Sequence, residues 1–163
     1  MSNTCTTTTV LRINNEKSVL KYIYDHKHAT SLTLQNQLSL SRPTVAQILR
    51  ELSQNSFIYI KGLADSTGGR KANLYEFNAA VKVSVGVEIL IDQFELMAID
   101  LYGDMHKYEK HSVPFSNTSE YYNEICRMIN MFISSLEYPP EQILGVGIAL
   151  QALISADGRE IIY

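Results

Sequence analysis

Apolar residues recur with helical spacing in the second half of segment 30–55. They stand at positions i, i+3, i+4 and i+7 and are Val45, Ile48, Leu49 and Leu52. This spacing buries one face of an α-helix. Ser41 is a suitable N-cap, and Pro43 falls in the first turn, where its missing N–H costs nothing. The pattern predicts a helix with its positive dipole end beside Arg42.

The opposite face of this predicted helix is small, polar and nearly free of acidic groups. On a helical wheel the residues that point away from the apolar stripe are Pro43, Ala46, Gln47, Arg50 and Gln54, with Thr44 and Glu51 at the margin. The N-terminal end of the helix, with its exposed first-turn amides near Arg42, suits a phosphate group.

A shorter helix precedes it, capped by Thr30 or Ser31 and buried through Leu34 and Leu38. Two short helices joined by a tight turn are typical of a helix-turn-helix. The turn residue that takes the left-handed conformation is Ser39, where Gly would cost less.

A first helix is predicted from Asn14 to His26, with Asn14 or Asn15 as its cap, and it closes a three-helix core. Residues 1–12 are interpreted as a flexible tail. His26 and His28 flank the end of this helix, and we interpret them as cations that favour a helix C-terminus rather than as metal ligands.

After the helices, a β-branched and aromatic run over 57–60 and a run over 71–77 that alternates apolar and polar residues imperfectly enclose a Gly-rich loop. They predict a β-hairpin wing. Its second arm opens with Gly69, Arg70 and Lys71, so two cations lie beside glycines that let the backbone approach a surface closely. In a winged helix-turn-helix such a tip contacts the phosphate backbone or the minor groove.

The second half of the chain changes to a strand-rich pattern. The predicted elements are strands 83–89, 94–100 and 105–113, a helix from Ser116 or Asn117 to about Leu136, strand 143–150 and a hairpin over 153–163. Because strand 143–150 is continuously apolar, we expect it to be buried on both faces of a parallel sheet. The order β-β-β-α-β resembles the opening of the ribonuclease-H-like fold of actin and the hexokinases.

Charge divides the chain at the same place. Residues 1–78 hold nine Lys and Arg against five Asp and Glu, whereas residues 79–163 hold five against twelve, within a net charge of −3 for all 163 residues. This asymmetry favours a basic module that meets a polyanion, joined to an acidic module that does not. The predicted domains are the tail 1–12, a winged helix-turn-helix over 13–78 and an incomplete domain over 79–163, an α+β chain.

No apolar run reaches the roughly 18 residues that a membrane span needs, and the Thr-rich start has neither the basic nor the apolar region of a signal peptide. We therefore expect a cytoplasmic protein with no membrane partner. Cys5 and Cys126 form no disulfide framework or metal knuckle, so reduced thiols are expected.

These motifs resemble the repressor branch of the ROK family, in which a winged helix-turn-helix precedes a sugar-kinase-like domain. The resemblance rests on LSLSRPTVAQILREL, GGRK, VGVEI and ILGVGIAL. It implies a repressor of sugar-utilisation genes, a dimer or tetramer, released from DNA by a sugar or a protein partner. Where family kinases carry a glycine phosphate loop, this chain has Glu88 to Asp92, with Leu90 and Ile91 in place of glycines. The family's sugar-binding and zinc motifs lie farther along, so no cofactor, metal or catalytic residue is assigned.

The resulting hypothesis is a transcriptional regulator of carbohydrate-utilisation genes, a repressor, that binds a double-stranded DNA operator as a homo-oligomer. The candidate DNA-binding residues are Ser41, Arg42, Pro43, Thr44, Gln47, Arg50, Gly69, Arg70 and Lys71. Gln47 can read adenine, and Arg50 fits a phosphate contact. Thr44 has core packing as an equal alternative.

Two other hypotheses stay open. A sugar kinase is suggested by fold resemblance alone, which is a weak argument for function. A remnant that acts by association is suggested by the incomplete second domain, whose sheet would have uncovered faces and edges. A sugar effector is expected only where a missing C-terminal lobe is supplied.

Overall fold

A computed structural model describes most of the chain. The described residues are 3–64, 71–151, 153–157, 159 and 161–162. The chain divides after Asn78 into two compact units, which are taken in turn.

The first unit combines three helices with a small sheet. Its elements are α1 (Asn3–His26), β1 (His28–Thr30), α2 (Ser31–Leu38), α3 (Arg42–Gln54), β2 (Ile58–Leu63) and β3 (Asn73–Phe77). The helices pack on one another through buried apolar side chains, which are Val19, Ile23, Leu34, Val45, Ile48, Leu49 and Leu52. All four residues of the stripe predicted on α3 belong to this core, which confirms the helical spacing.

The small sheet is antiparallel and has the order β1-β3-β2. β3 lies in the centre, with Ala29 of β1 opposite Tyr75 and Ile58 of β2 opposite Phe77. The sequence did not predict β1, because a strand of three residues is too short to show an alternation of apolar and polar positions. β2 is longer than the predicted 57–60 and shifts register between Ile60 and Gly62.

The start of α1 differs from the prediction. The helix begins at Asn3, so the predicted cap residues Asn14 and Asn15 lie inside it, and Ser18 Oγ donates to the Asn14 carbonyl at 2.9 Å. The predicted tail 1–12 is therefore helical from Asn3 onward, although β-branched Thr has low helix propensity. No Pro or Gly interrupts this stretch, and at its end Arg12 forms an ion pair with Glu51 of α3.

The second unit is built on a four-stranded sheet and one long helix. Its elements are β4 (Val83–Ile89), β5 (Phe94–Asp100), β6 (Met105–His111), α4 (Ser119–Ser134), β7 (Ile143–Leu150), β8 (Leu153–Ile154) and β9 (Ile161–Ile162). The sheet order is β6-β5-β4-β7. β5 pairs antiparallel with both neighbours and β7 runs parallel to β4, so the sheet is mixed.

One face of this sheet packs against α4. The cluster joins alternate residues of β4 and β5 to the apolar side of the helix, and it contains Val85, Val87, Ile89, Phe94, Leu96, Ala98, Tyr121, Ile125, Phe132 and Leu136. The helix begins one or two residues later than predicted, because Thr118 and not Ser116 or Asn117 caps it, by accepting from the Tyr121 amide at 3.2 Å.

β7 forms the predicted parallel strand, but its predicted burial is wrong. Leu144, Val146 and Ile148 are 58%, 44% and 64% exposed. β7 lies at the edge of the sheet, and the helix packs on β4 and β5 instead. An apolar strand signals burial only where other elements cover it, and the described residues place none over β7.

Candidate nucleic-acid interface

The start of α3 is a well-formed helix N-terminus. Ser41 is extended (φ −67°, ψ 150°), and its Oγ accepts from the Thr44 amide at 3.4 Å. Pro43 occupies the first turn, where no backbone donor is lost. The amides of this turn and the positive end of the helix dipole therefore favour an anion, next to the exposed side chain of Arg42.

The outward face of α3 is exposed and polar. Arg42, Pro43, Gln47 and Arg50 are exposed, as expected from the helical wheel. Thr44 is half-buried, and its hydroxyl lies 2.8 Å from Ser41 Oγ. Its side chain therefore belongs to the cap, which limits its freedom to reach a ligand.

The turn between α2 and α3 is closed by a left-handed residue. Ser39 has φ 52° and ψ 39°, and its amide donates to the Gln35 carbonyl. The Leu40 amide donates to the same carbonyl at 3.2 Å. This arrangement ends α2 abruptly at the cost of a left-handed non-Gly residue. It fits the predicted conformation of Ser39.

The hairpin of β2 and β3 places a charged cluster on its exposed surface. Lys61 Nζ lies 2.6 Å from Glu76 Oε2, and the Tyr59 hydroxyl donates to Glu76 Oε1 at 2.9 Å. The hydrogen bond from Lys61 holds the pKa of Glu76 below its usual value, although partial burial opposes the shift. The Glu76 carboxylate compensates the positive charge of Lys61, which makes Lys61 a weaker candidate for a ligand contact.

The tip of this hairpin lies mostly outside the described residues. Gly69 and Arg70, both predicted as contacts, belong to the part that is not described. Lys71 is exposed just before β3 begins, and the Ala64 amide donates to the Ala72 carbonyl at 2.8 Å. The two arms are thus joined up to the edge of the described segment.

A groove of about 320 Å³ runs between α1 and α3. It is lined by Leu11, Arg12, Asn15, Pro43, Thr44, Gln47, Ile48 and Glu51. Arg12 Nη2 lies 2.8 Å from Glu51 Oε1, and Gln47 Nε2 donates to the same oxygen at 3.1 Å. The Gln47 hydrogen bond, and then Arg12, lower the pKa of Glu51. Glu51 is therefore an ionised acceptor within the candidate interface.

Arg12 is the residue that the sequence did not reveal. It lies in the predicted tail, and its partner Glu51 is 39 positions away in the sequence. The one available signal was the unbroken stretch without Gly or Pro, which permits α1 to extend upstream.

The acidic residues of the second unit do not form a comparable site. Glu88 and Asp92 are exposed, whereas Asp100 accepts from the amides of Tyr102 at 2.8 Å and Asp104 at 3.0 Å. Asp100 therefore organises the turn between β5 and β6. Within the described ranges no group of His, Cys, Asp and Glu is arranged to hold a metal ion.

The segment predicted to replace a phosphate loop is the connection between β4 and β5. The Leu90 amide donates to the Gln93 carbonyl at 2.9 Å, which closes a short turn. Ile91 is 81% exposed at its tip. The helices of the described part are all too short or too polar to cross a membrane.

The chain is similar in sequence to curated proteins named xylose repressor. It is 27% identical over 146 residues to the one from Bacillus subtilis (strain 168) and 23% identical over 155 residues to the one from Caldicellulosiruptor bescii. The alignments cover 89% and 94% of this chain but 38% and 39% of those proteins. The chain thus spans a little over a third of the length of the relatives it matches. No protein-family model matches it.

The fold also has a solved counterpart. A structure described as a ROK family transcriptional regulator, a homolog of the E. coli MLC protein, superposes with a TM-score of 0.55 at 15% sequence identity. The match covers 91% of this chain and 37% of that chain. The mixed α+β fold is therefore shared with that regulator, and the predicted resemblance to ROK repressors is confirmed.

Proposed function

We propose that this chain, which resembles the ROK repressors in sequence and fold, is a sequence-specific DNA-binding regulator that represses carbohydrate-utilisation genes. The first unit acts as a winged helix-turn-helix, and α3 enters the major groove of a DNA operator. The observation that carries the proposal is the outward face of α3, which is exposed, polar and basic while its opposite face is fully buried.

Each exposed residue of α3 has a role that suits its chemistry. The first-turn amides beside Ser41 and Pro43 bind a backbone phosphate. Gln47 can donate to N7 and accept from N6 of adenine, whereas Arg50 and Arg42 neutralise phosphates or read guanine. Because its hydroxyl serves the cap, Thr44 contributes mainly a methyl group.

The β2–β3 hairpin acts as the wing. Gly69, Arg70 and Lys71 at its tip contact the neighbouring phosphate backbone or the minor groove. The exposure of Lys71 and the excess of Lys and Arg over residues 1–78 support this role.

The second unit is proposed to be the first part of a ribonuclease-H-like effector domain. The order β4-β5-β6-α4-β7, with β7 parallel to β4, supports this assignment. The relatives are named for xylose, so we propose a sugar as the effector and place its site in none of the described residues. A homo-oligomer on the operator and a cytoplasmic location belong to the same proposal. The short β4–β5 turn, with Leu90 and Ile91, does not favour a kinase.

The direct test is DNA binding by the full chain. We expect selection from a random duplex library to enrich one sequence class, and fluorescence anisotropy to show an affinity that falls steeply with salt. Arg70→Ala should weaken binding to all duplexes alike and reduce the slope of log K against log salt by about 0.9.

Arg127→Ala is the matched control, because Arg127 is an exposed arginine on α4 of the second unit. It should leave affinity and slope unchanged. A chain that enriches no sequence and shows no salt-dependent binding would refute the proposed function.

A further inference from the structure

Gln47 is not a free side chain on the face of α3. Its amide nitrogen donates to Glu51 Oε1 at 3.1 Å, one helical turn farther on. The same oxygen accepts from Arg12 Nη2 at 2.8 Å. Three side chains from α1 and α3 are therefore linked through one carboxylate oxygen.

This link determines which way the Gln47 amide is turned. A free glutamine side chain can rotate by about half a turn and exchange its oxygen and nitrogen. An ionised carboxylate only accepts hydrogen bonds, so it can bind the nitrogen of the amide and never the oxygen. With Glu51 as its neighbour, Gln47 keeps Oε1 available as an acceptor and one N–H available as a donor.

Arg12 holds Glu51 in the position that this requires. The Glu51 side chain is 24% exposed, whereas that of Arg12 is 61% exposed, so the carboxylate lies on the sheltered side of the pair. The hydrogen bond from Gln47, and then the one from Arg12, lower the pKa of Glu51 and so favour its ionised form. An acceptor that stays charged at neutral pH keeps the amide in one orientation.

We propose that Glu51 is a positioning residue for base recognition, which fixes the Gln47 amide to read adenine and is itself held by Arg12 from the N-terminal extension of α1. The inference rests on the proposed function, because it assigns a specificity role within the same interface. A fixed acceptor beside a fixed donor matches the N6 amino group and N7 of adenine in the major groove. Fixing the Gln47 amide in advance also avoids the loss of side-chain conformational entropy that a free glutamine would undergo on binding.

The test compares two substitutions that remove the same charge. Glu51→Met removes the acceptor and keeps the length of the side chain. Glu51→Gln keeps an oxygen, and Arg12, which can only donate, turns that oxygen rather than the nitrogen toward the position where Gln47 also donates. Glu124→Met is the control, because Glu124 is another helix glutamate bonded to an arginine, at 2.6 Å from Arg127, in the second unit. Duplexes selected by the wild-type chain are then varied at each adenine, and affinities are measured by anisotropy at one salt concentration.

We expect the wild-type chain to prefer adenine by roughly tenfold at one position of the site. Glu51→Met should lower this preference below about threefold and leave affinity for unrelated duplexes equal or tighter, since a negative charge near phosphate is lost. Glu51→Gln and Glu124→Met should keep the preference. A variant that had merely lost its fold would weaken binding to every duplex, so the measurement separates positioning from stability.

The outcomes distinguish the two proposals. If the wild-type chain enriches no DNA sequence, the proposed function is overturned, and this inference with it. An adenine preference that persists in Glu51→Met, or that Gln47→Leu does not abolish, overturns the inference and leaves DNA binding intact.

Discussion

Helix α3 and strand β7 expose opposite kinds of surface. α3 buries its four apolar residues and turns a polar, basic face outward. β7 has apolar residues along its whole length and leaves most of them exposed. The two segments look equally well defined in the sequence, yet the apolar residues of α3 are buried within its own unit and most of those of β7 are exposed among the described residues.

The two segments differ in which neighbouring elements pack on their apolar residues. The apolar stripe of α3 is met by α1 and α2 of the same unit, so its remaining face is free for a ligand. β7 finds a hydrogen-bonding partner in β4, whereas α4 packs on the strands beside it. The packed helix therefore leaves a polar face exposed, whereas the edge strand leaves an apolar face that no described element of its unit covers.

The largest expected effect is on stability and is seen by comparing a leucine of α3 with a leucine of β7. Leu52 of α3 is 1% exposed, and Leu144 of β7 is 58% exposed. Leu52→Ala should lower the free energy of unfolding of the first unit by about 2–5 kcal/mol, whereas Leu144→Ala should change that of the second unit by less than about 0.5 kcal/mol. Hydrogen exchange read by mass spectrometry measures each unit separately. Equal losses in the two variants would show that β7 is covered in solution.

A smaller effect concerns the start of α3. Ser41→Ala removes the side chain that caps the helix and should cost about 1 kcal/mol of stability in the first unit. Ser53→Ala, in the last turn of the same helix, is the control and should be neutral or slightly stabilising, because Ala has the higher helix propensity. Chemical denaturation followed by circular dichroism compares them. Equal stabilities would mean that the cap contributes nothing.

A further effect is confined to the second unit and depends on pH. Burial of the Asp100 carboxylate works to raise its pKa, but hydrogen bonds from His106 at 3.2 Å and from the amides of Tyr102 and Asp104 outweigh it and hold the pKa below its usual value. A carboxyl with a lowered pKa stabilises the fold above its unfolded pKa, and this stabilisation is lost as pH falls from roughly 4 through the lowered value.

Asp100→Asn should therefore be less sensitive to acid than the wild-type chain, because its amide oxygen can still accept from the backbone but does not titrate. The midpoint of urea denaturation, measured from neutral pH downward, gives the comparison. If the urea midpoints of the two proteins fell in parallel as the pH is lowered, the acid sensitivity would come from groups other than Asp100.

The sequence by itself determined the local elements of both units. The period of apolar residues in 45–52 located α3 and its core, because side chains at i, i+3, i+4 and i+7 share one face of any helix. The Ser41 cap, the left-handed Ser39 and the strands β4 and β5 were predictable for the same reason, since each depends on residues close together in the chain. The exposed candidates on α3 followed from that period.

Only the tertiary structure decided which surfaces meet. Arg12 reaches Glu51 because α1 extends to Asn3 and packs beside α3, and no pattern within either segment records a contact between residues so far apart. The exposure of β7 was equally hidden, because a continuously apolar strand has the same sequence whether two faces, one face or neither is covered. The burial of a strand depends on which elements pack against it, and the packing of the whole unit determines those elements.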